Sequence, residues 1–234
     1  MGNSIEASNP TTECNKIWKT SITKAELAEL PAETLEGNIT VIDCEEGVEQ
    51  AVRTLSEAGI IGFDTETKPS FRKGERHTVS LLQLSTLTES FLFRLNRIGL
   101  PSSVTRLLED ESVVKIGLSI HDDFINLRKK FELDPKGFID LQAFVKKFNI
   151  ADNSLSRIYG ILFDKRISKG QRLSNWEAST LSPHQQEYAA LDAVACLNIY
   201  NYLCEHGFDY KQSKYYREFD DPTIQQAQRQ EKNP

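Results

Sequence analysis

Gly59-Ile60-Ile61-Gly62-Phe63-Asp64-Thr65-Glu66 decides how this chain is read. The run is apolar up to Phe63, and a strand ending on two acids two residues apart sends both carboxylates to one face. Such a pair is half of a metal site. An isolated Asp-x-Glu is weak evidence, and Asp43-Cys44-Glu45 supplies an internal control. There a helical pattern with Glu46 and Glu49 follows at once, where acids suit the positive end of the helix dipole, so capping accounts for that pair. Asp64 and Glu66 are followed instead by Lys68-Pro69-Ser70 and the basic loop Arg72-Lys73-Gly74-Glu75-Arg76. By themselves, clustered functional acids and a solvated strand end explain the pair equally well.

Working outward, the hydrophobic periods predict strands at 38–44, 60–65, 78–85, 90–93 and 113–117, with a short extended piece at 138–140. Helices are expected at 46–58, 103–108, 120–131 and 141–148, and a long one at 183–204. Ser182 would cap that last helix, Pro183 suits its first turn and Gly207 ends it. Consecutive strands followed by helix and strand alternation describe an α/β fold, a mixed sheet flanked by helices, the outline of a ribonuclease H-like domain. The domain is expected over 23–208, opening on a Thr23/Glu26 capping box, with its motif-bearing core at 38–204. Residues 1–22 are expected to be a flexible arm. Residues 209–234, rich in charge and glutamine, are expected to pack partly through Tyr215, Tyr216 and Phe219 and then fray.

Two further acids sit in chemically pointed contexts. Tyr188 and Asp192 stand at i and i+4, on one face of the long helix and one turn apart. Tyr216 and Asp220 repeat the spacing, but in the charged tail. Asp192 lies among Ala189, Ala190, Leu191, Ala193, Val194 and Ala195, where an unpartnered carboxylate is costly to ionise. A cation answers that cost; so does an ordinary buried Asp bonded to backbone or arginine. Asp122 and Asp123 open the 120–131 helix, where dipole stabilisation is the commoner explanation for acids.

Composition sets the frame. With 234 residues, 39% hydrophobic and 26% charged, the chain suits one globular domain with a full core, and no apolar stretch approaches a membrane span. Residues 1–24 lack the apolar run of a secretory leader, and Cys14, Cys44, Cys196 and Cys204 are scattered without a CxxC pair. A cytoplasmic protein with reduced thiols and no zinc site is expected. A net charge of −6 argues against coating nucleic acid with the whole surface, leaving phosphate binding to local patches.

Taken in order, Gly62-Phe63-Asp64-Thr65-Glu66, Lys115-Ile116-Gly117-Leu118-Ser119-Ile120-His121-Asp122-Asp123 and Tyr188-Ala189-Ala190-Leu191-Asp192 resemble the three exonuclease motifs of the DEDD superfamily. Leu81-Leu82-Gln83-Leu84 and Leu173-Ser174-Asn175-Trp176 are similar to flanking family segments. The third motif resembles the tyrosine version, that of ribonuclease D and Werner-type exonuclease domains; the histidine version would need His where Glu187 stands.

The resemblance implies a metal-dependent 3′-5′ exonuclease that hydrolyses phosphodiester bonds at single-stranded 3′ ends of DNA or RNA and releases nucleoside 5′-monophosphates. It implies two divalent metal ions, Mg²⁺ or Mn²⁺, which suit hard oxygen ligands. Asp64 would bridge both, Glu66 and Asp192 would complete the shell of the first ion, and Asp123 would hold the second ion directly or through water. Counting from Gly117 favours Asp123 over its neighbour Asp122. Tyr188 would orient the attacking water. Two readings compete: a catalytically silent nucleic-acid-binding module of the same fold, and a related endonuclease.

Substrate contacts are sought in basic stretches. Lys165, Arg166, Lys169 and Arg172 precede the third motif and could meet a phosphate backbone, Lys169 and Arg172 above all; a solvated patch is the alternative for any single member. Arg72, Lys73 and Arg76 are a second set beside the first motif. Phe71 could stack on a base or be an ordinary aromatic. Trp176 reads as a packing anchor, and His77, His121 and His184 as polar or capping residues rather than ligands.

Overall fold

Strand and helix alternate along most of the chain wherever a period-2 apolar run gives way to a 3.6-residue stripe. The structure is a computed structural model, and it describes residues 16–72 and 74–220. In chain order the elements are β1 (Lys16–Thr20), α1 (Lys24–Glu29), β2 (Asn38–Ile42), α2 (Val48–Ala58), β3 (Ile60–Thr67), β4 (Val79–Ser85), β5 (Glu89–Phe93), α3 (Leu95–Ile98), α4 (Ser102–Glu109), β6 (Val114–Gly117), α5 (Ile120–Arg128), β7 (Phe138–Asp140), α6 (Leu141–Phe144), α7 (Leu155–Phe163), α8 (Pro183–His206) and β8 (Tyr216–Asp220).

Six strands form one mixed sheet in the order β2-β5-β4-β3-β6-β7. β4 runs antiparallel to both neighbours and every other pair is parallel, so β2, β5, β3, β6 and β7 all end at the same edge. β4 is buried along its whole length. One face of the sheet packs Phe63, Leu82, Leu84 and Phe93 against α2 and α4. The other carries Leu81, Leu92 and Ile116 beneath α7 and α8. This is the ribonuclease H-like mixed sheet flanked by helices.

The caps read from sequence are present. Thr23 and Glu26 form a capping box at α1, Ser182 caps α8, Pro183 begins it and Gly207 follows its last turn; the structure adds Gln185, which completes a second capping box with Ser182. Several expectations need correction. Lys16–Thr20 belongs to no flexible arm: it pairs antiparallel with Tyr216–Asp220, from Lys16 opposite Asp220 to Thr20 opposite Tyr216. Arg217 reaches Glu26 at 2.8 Å, so the two ends of the described chain brace each other. α7 was not anticipated: Ser156, Arg157 and Gly160 interrupt its apolar positions, and the central glycine is a poor helix former. α5 stops at Arg128, not at 131, and the 141–148 helix tightens into a 3₁₀ turn at Val145–Phe148. Asp43 does not cap α2, whose N-cap is Gly47; its carboxylate accepts a 2.9 Å bond from Arg97. Cys44 and Cys204 are exposed and Cys196 is buried. Cys14 and Gln225, Gln226, Gln228 and Gln230 lie outside the described residues. Among the described residues no helix is long and apolar enough to cross a membrane.

Candidate metal centre

Alternation along β3 turns Phe63 into one core face and Asp64 and Glu66 toward the α8 side, opposite Gln83 and Leu81 of β4. α8 crosses β3 with small residues, and Ala189, Ala190 and Ala193 are fully buried. The approach depends on Gly62: a Cβ there would stand 2.0 Å from the carbonyl oxygen of Ala193. One residue before Ala193 is Asp192. One carboxylate oxygen each from Asp64, Glu66 and Asp192 lies within 4.8 Å of the other two, the single such group of metal-ligating side chains among the described residues.

Asp123 approaches from α5 and is not part of that trio. Ser119 precedes the helix in a left-handed conformation, φ 62°, held because its N–H and that of Ile120 both donate to the Asp140 carboxylate, at 3.1 and 3.2 Å. This sets the first turn so that half-buried Asp123 accepts a hydrogen bond from the Thr65 hydroxyl, while Asp122 points to solvent. Thr65 was not anticipated, although its odd position between two acids of one strand face assigns it to the opposite, α5-facing side.

Burial and mutual repulsion govern the electrostatics. Burial raises Asp64 well above the usual carboxylate range, and Asp192, Glu66 and Asp123 add to it. Burial, then Asp192 and Asp123, push Glu66 up to about 9, with Arg172 pulling the other way. Burial lifts Asp192 to about 7 against the Tyr188 hydroxyl and Lys169, which favour its charge. Burial lifts Asp123 to about 6 against the Thr65 bond. Tyr188 is raised by burial and then by Asp192, to which its hydroxyl donates. Among the described residues none of these four acids has an ion-pair partner.

The remaining predicted residues separate into two groups. Lys165 pairs with Glu33 at 3.0 Å and the Arg166 Nε donates to the Leu30 carbonyl at 3.0 Å, so both pin the N-terminal segment. Lys169 and Arg172 are exposed, and their charges act on Asp192 and Glu66. Arg72 and Arg76 are exposed, and Lys73 lies outside the described residues. Phe71 is 76% exposed and Leu173 62%. Trp176 is fully buried, its ring 6.1 Å from that of Tyr188, as expected of an anchor. His121 and His184 are exposed. His77 lies between Glu75 and Glu177, at 3.1 and 3.3 Å, and Lys68 reaches Glu177 at 3.2 Å. Together they tie the loop after β3 to the segment before α8. Gln83, cross-strand from Asp64, is fully buried with neither amide atom bonded within the protein.

These shifts carry a pH prediction. The acids' folded values lie above their ordinary ones, so their contribution to stability is present below about pH 4 and is lost as pH rises through about 6 to 9. The metal-free protein should therefore lose stability over that range. A cation needs the ionised carboxylates, so the rise in melting temperature on adding Mn²⁺ should be larger at pH 8.5 than at pH 6. Melting curves in chelator and in Mn²⁺ at both values measure it; a shift independent of pH would contradict it.

A family model described as 3′-5′ exonuclease matches residues 39–206. The mouse bifunctional 3′-5′ exonuclease/ATP-dependent helicase WRN is 31% identical over 167 residues, 69% of this chain and 12% of that protein. The chain spans less than two thirds of the length of the curated relatives it matches first. The crystal structure of the Aedes aegypti Nibbler EXO domain superposes with a TM-score of 0.67 at 22% identity, covering 77% of this chain and 97% of that one. Trypanosoma brucei RNase D in complex with RNA U12 superposes with a TM-score of 0.63 at 21% identity, covering 80% and 66%.

Proposed function

Since the chain belongs to the 3′-5′ exonuclease family of the DEDD superfamily, we propose that it removes nucleoside 5′-monophosphates from the 3′ end of single-stranded nucleic acid in a reaction dependent on divalent cations. The observation that carries this reading is the meeting of Asp64, Glu66 and Asp192 at one point, with Glu66 buried, its two companions half-buried and no ion-pair partner for any of the three among the described residues. The donor set fits a hard cation: the three groups are all carboxylates, with no imidazole or thiolate among them, and the unpartnered Gln83 amide beside Asp64 suits a hydrated ion. Asp64, Glu66 and Asp192 would hold one Mg²⁺ or Mn²⁺, and Asp123, with Asp64, a second. Bound there, the ions supply charge stabilisation for the attacking and leaving oxygens of an in-line displacement.

The protein's own groups divide the remaining work. Water adds to phosphorus, the bond to the 3′ oxygen breaks, and the shortened strand leaves with a 3′-hydroxyl. The Tyr188 hydroxyl, raised above its ordinary pKa, stays protonated at neutral pH and serves as a positioning group rather than a bulk base. The buried Trp176 ring packs beside that of Tyr188. Lys169 and Arg172, exposed at the rim, are assigned to the phosphate backbone. The motif-bearing core is assigned to residues 38–204, and the folded unit around it, read from the sequence as 23–208, takes in the β1–β8 pair as well.

Incubating 5′-labelled RNA and DNA oligonucleotides with Mn²⁺ or Mg²⁺ should give a ladder of shortened products. Wild-type protein unable to shorten either would overturn the reading. Tyr188→Phe should lower kcat by about 10- to 100-fold, since misplacing a reactant by about an ångström costs that much. Its stabilisation by Mn²⁺ should persist, because no cation ligand is removed. Loss of both together would assign Tyr188 to the fold instead.

A further inference from the structure

Beside the strand ends, outside the acid cluster, a cavity of about 420 Å³ is lined by Asp43, Arg94, Arg97, Ser179, Thr180 and Gln186. Arg94 is 1% exposed. Its Nη2 donates to the Ala178 carbonyl at 2.5 Å, its Nε has no partner in the protein, and among the described residues it has no ion pair. Arg97 pairs with Asp43 at 2.9 Å and also donates to the Ser179 carbonyl. Two guanidiniums thus face one carboxylate, leaving a positive charge uncompensated at a buried position. A guanidinium held out of water with a free donor is costly unless an anion supplies the acceptor, and its planar fork suits phosphate.

The placement relates this cavity to the acids. Phe93 lies in one cross-strand row with Leu82 and Thr65. Arg94, one residue further, alternates to the α8 side that also carries Asp64 and Glu66, and the Arg94 N–H extends the ladder to the Ile42 carbonyl. Two strand spacings, roughly 10 Å, separate the Arg94 backbone from that of Glu66. A stacked strand advances about 3.4 Å per nucleotide, so that span is on the order of three nucleotides.

We propose that the Arg94–Arg97 cavity is a phosphate subsite that takes a backbone phosphate of the substrate strand about three nucleotides 5′ of the scissile bond. This rests on the exonuclease reading for the identity of the strand. A free phosphate or mononucleotide offers the same chemistry, so the test separates them.

Binding is read without turnover, by fluorescence anisotropy of labelled 8-mers in chelator, with a single neutral methylphosphonate linkage walked along the strand. In the wild-type chain one linkage position near the third from the 3′ end should weaken binding about tenfold. In Arg94→Met the same linkage should cost nothing further, and log affinity should fall less steeply with log salt, by about 0.7 for one lost contact to a single strand. Arg97→Met repeats the measurement in case Arg94→Met fails to fold, and the linkage walk on the wild-type chain needs no variant. Additive losses at every position, or an equal loss for a dinucleotide, would overturn the subsite. If inorganic phosphate or AMP raises the melting temperature through Arg94 without competing with the strand, the cavity belongs to a free phosphate and the strand placement is overturned. A wild-type chain with this position-specific coupling but no cleavage would instead sink the exonuclease reading and leave the subsite standing.

Discussion

An Asp64→Asn protein is expected to trim 3′ ends at least about 10³-fold more slowly under Mn²⁺, while its melting temperature in chelator does not fall. The two halves of this expectation share one cause. Asp64 lies at the centre of the acid cluster, where burial and then Asp192, Glu66 and Asp123 all oppose its charge. Asparagine keeps the shape and removes a group that the metal-free fold holds against repulsion, so the fold gains or is unchanged. What is lost is the negative charge that holds cations, worth several kcal/mol in the transition state, and each 1.36 kcal/mol is a factor of ten. The stabilisation by Mn²⁺ should shrink in parallel. A variant that melts well below wild type in chelator would show that Asp64 is a structural residue. One that keeps its activity would remove it from the site.

Gly62→Ala is expected to cost about 3 kcal/mol or more and to lower the melting temperature by roughly 6–12 °C. The added Cβ would meet the Ala193 carbonyl oxygen at 2.0 Å, backbone against backbone, so neither partner can rotate away. Either β3 or α8 must move. Because Asp192 adjoins Ala193 and Asp64 is two residues from Gly62, that movement separates two of the three clustered carboxylates. The Mn²⁺-induced rise in melting temperature should therefore fall even where the variant still folds. Thermal denaturation with and without Mn²⁺ checks both effects. A Gly62→Ala protein with wild-type stability and an intact Mn²⁺ response would show that the helix-strand approach is looser than described.

Much of the candidate site is legible locally because it obeys short periods. Two acids at i and i+2 share a strand face, and Tyr188 and Asp192 at i and i+4 share a helix face; neither statement needs tertiary information. The α8 caps were equally local, since Ser182 and Pro183 act within one turn. Where the reading failed, the deciding partner was distant in sequence. Lys16–Thr20 becomes a strand only because Tyr216–Asp220 lies beside it, some 200 residues away. Asp43 meets Arg97 rather than the helix that follows it. Lys165 and Arg166, read in one basic stretch with Lys169 and Arg172, are taken up by Glu33 and the Leu30 carbonyl.

The mixed α/β fold, the order of the three motifs, the shared strand face of Asp64 and Glu66 and the shared helix face of Tyr188 and Asp192 are written in the amino-acid order, because each follows from backbone geometry over a few residues. Only the tertiary structure decided that α8 crosses β3 at Gly62, that Thr65 draws Asp123 rather than Asp122 inward, and that Arg94 is left buried with a free donor. Distances between elements, and the burial that raises the pKa of four neighbouring acids, depend on packing among segments far apart in the chain, which no local period encodes.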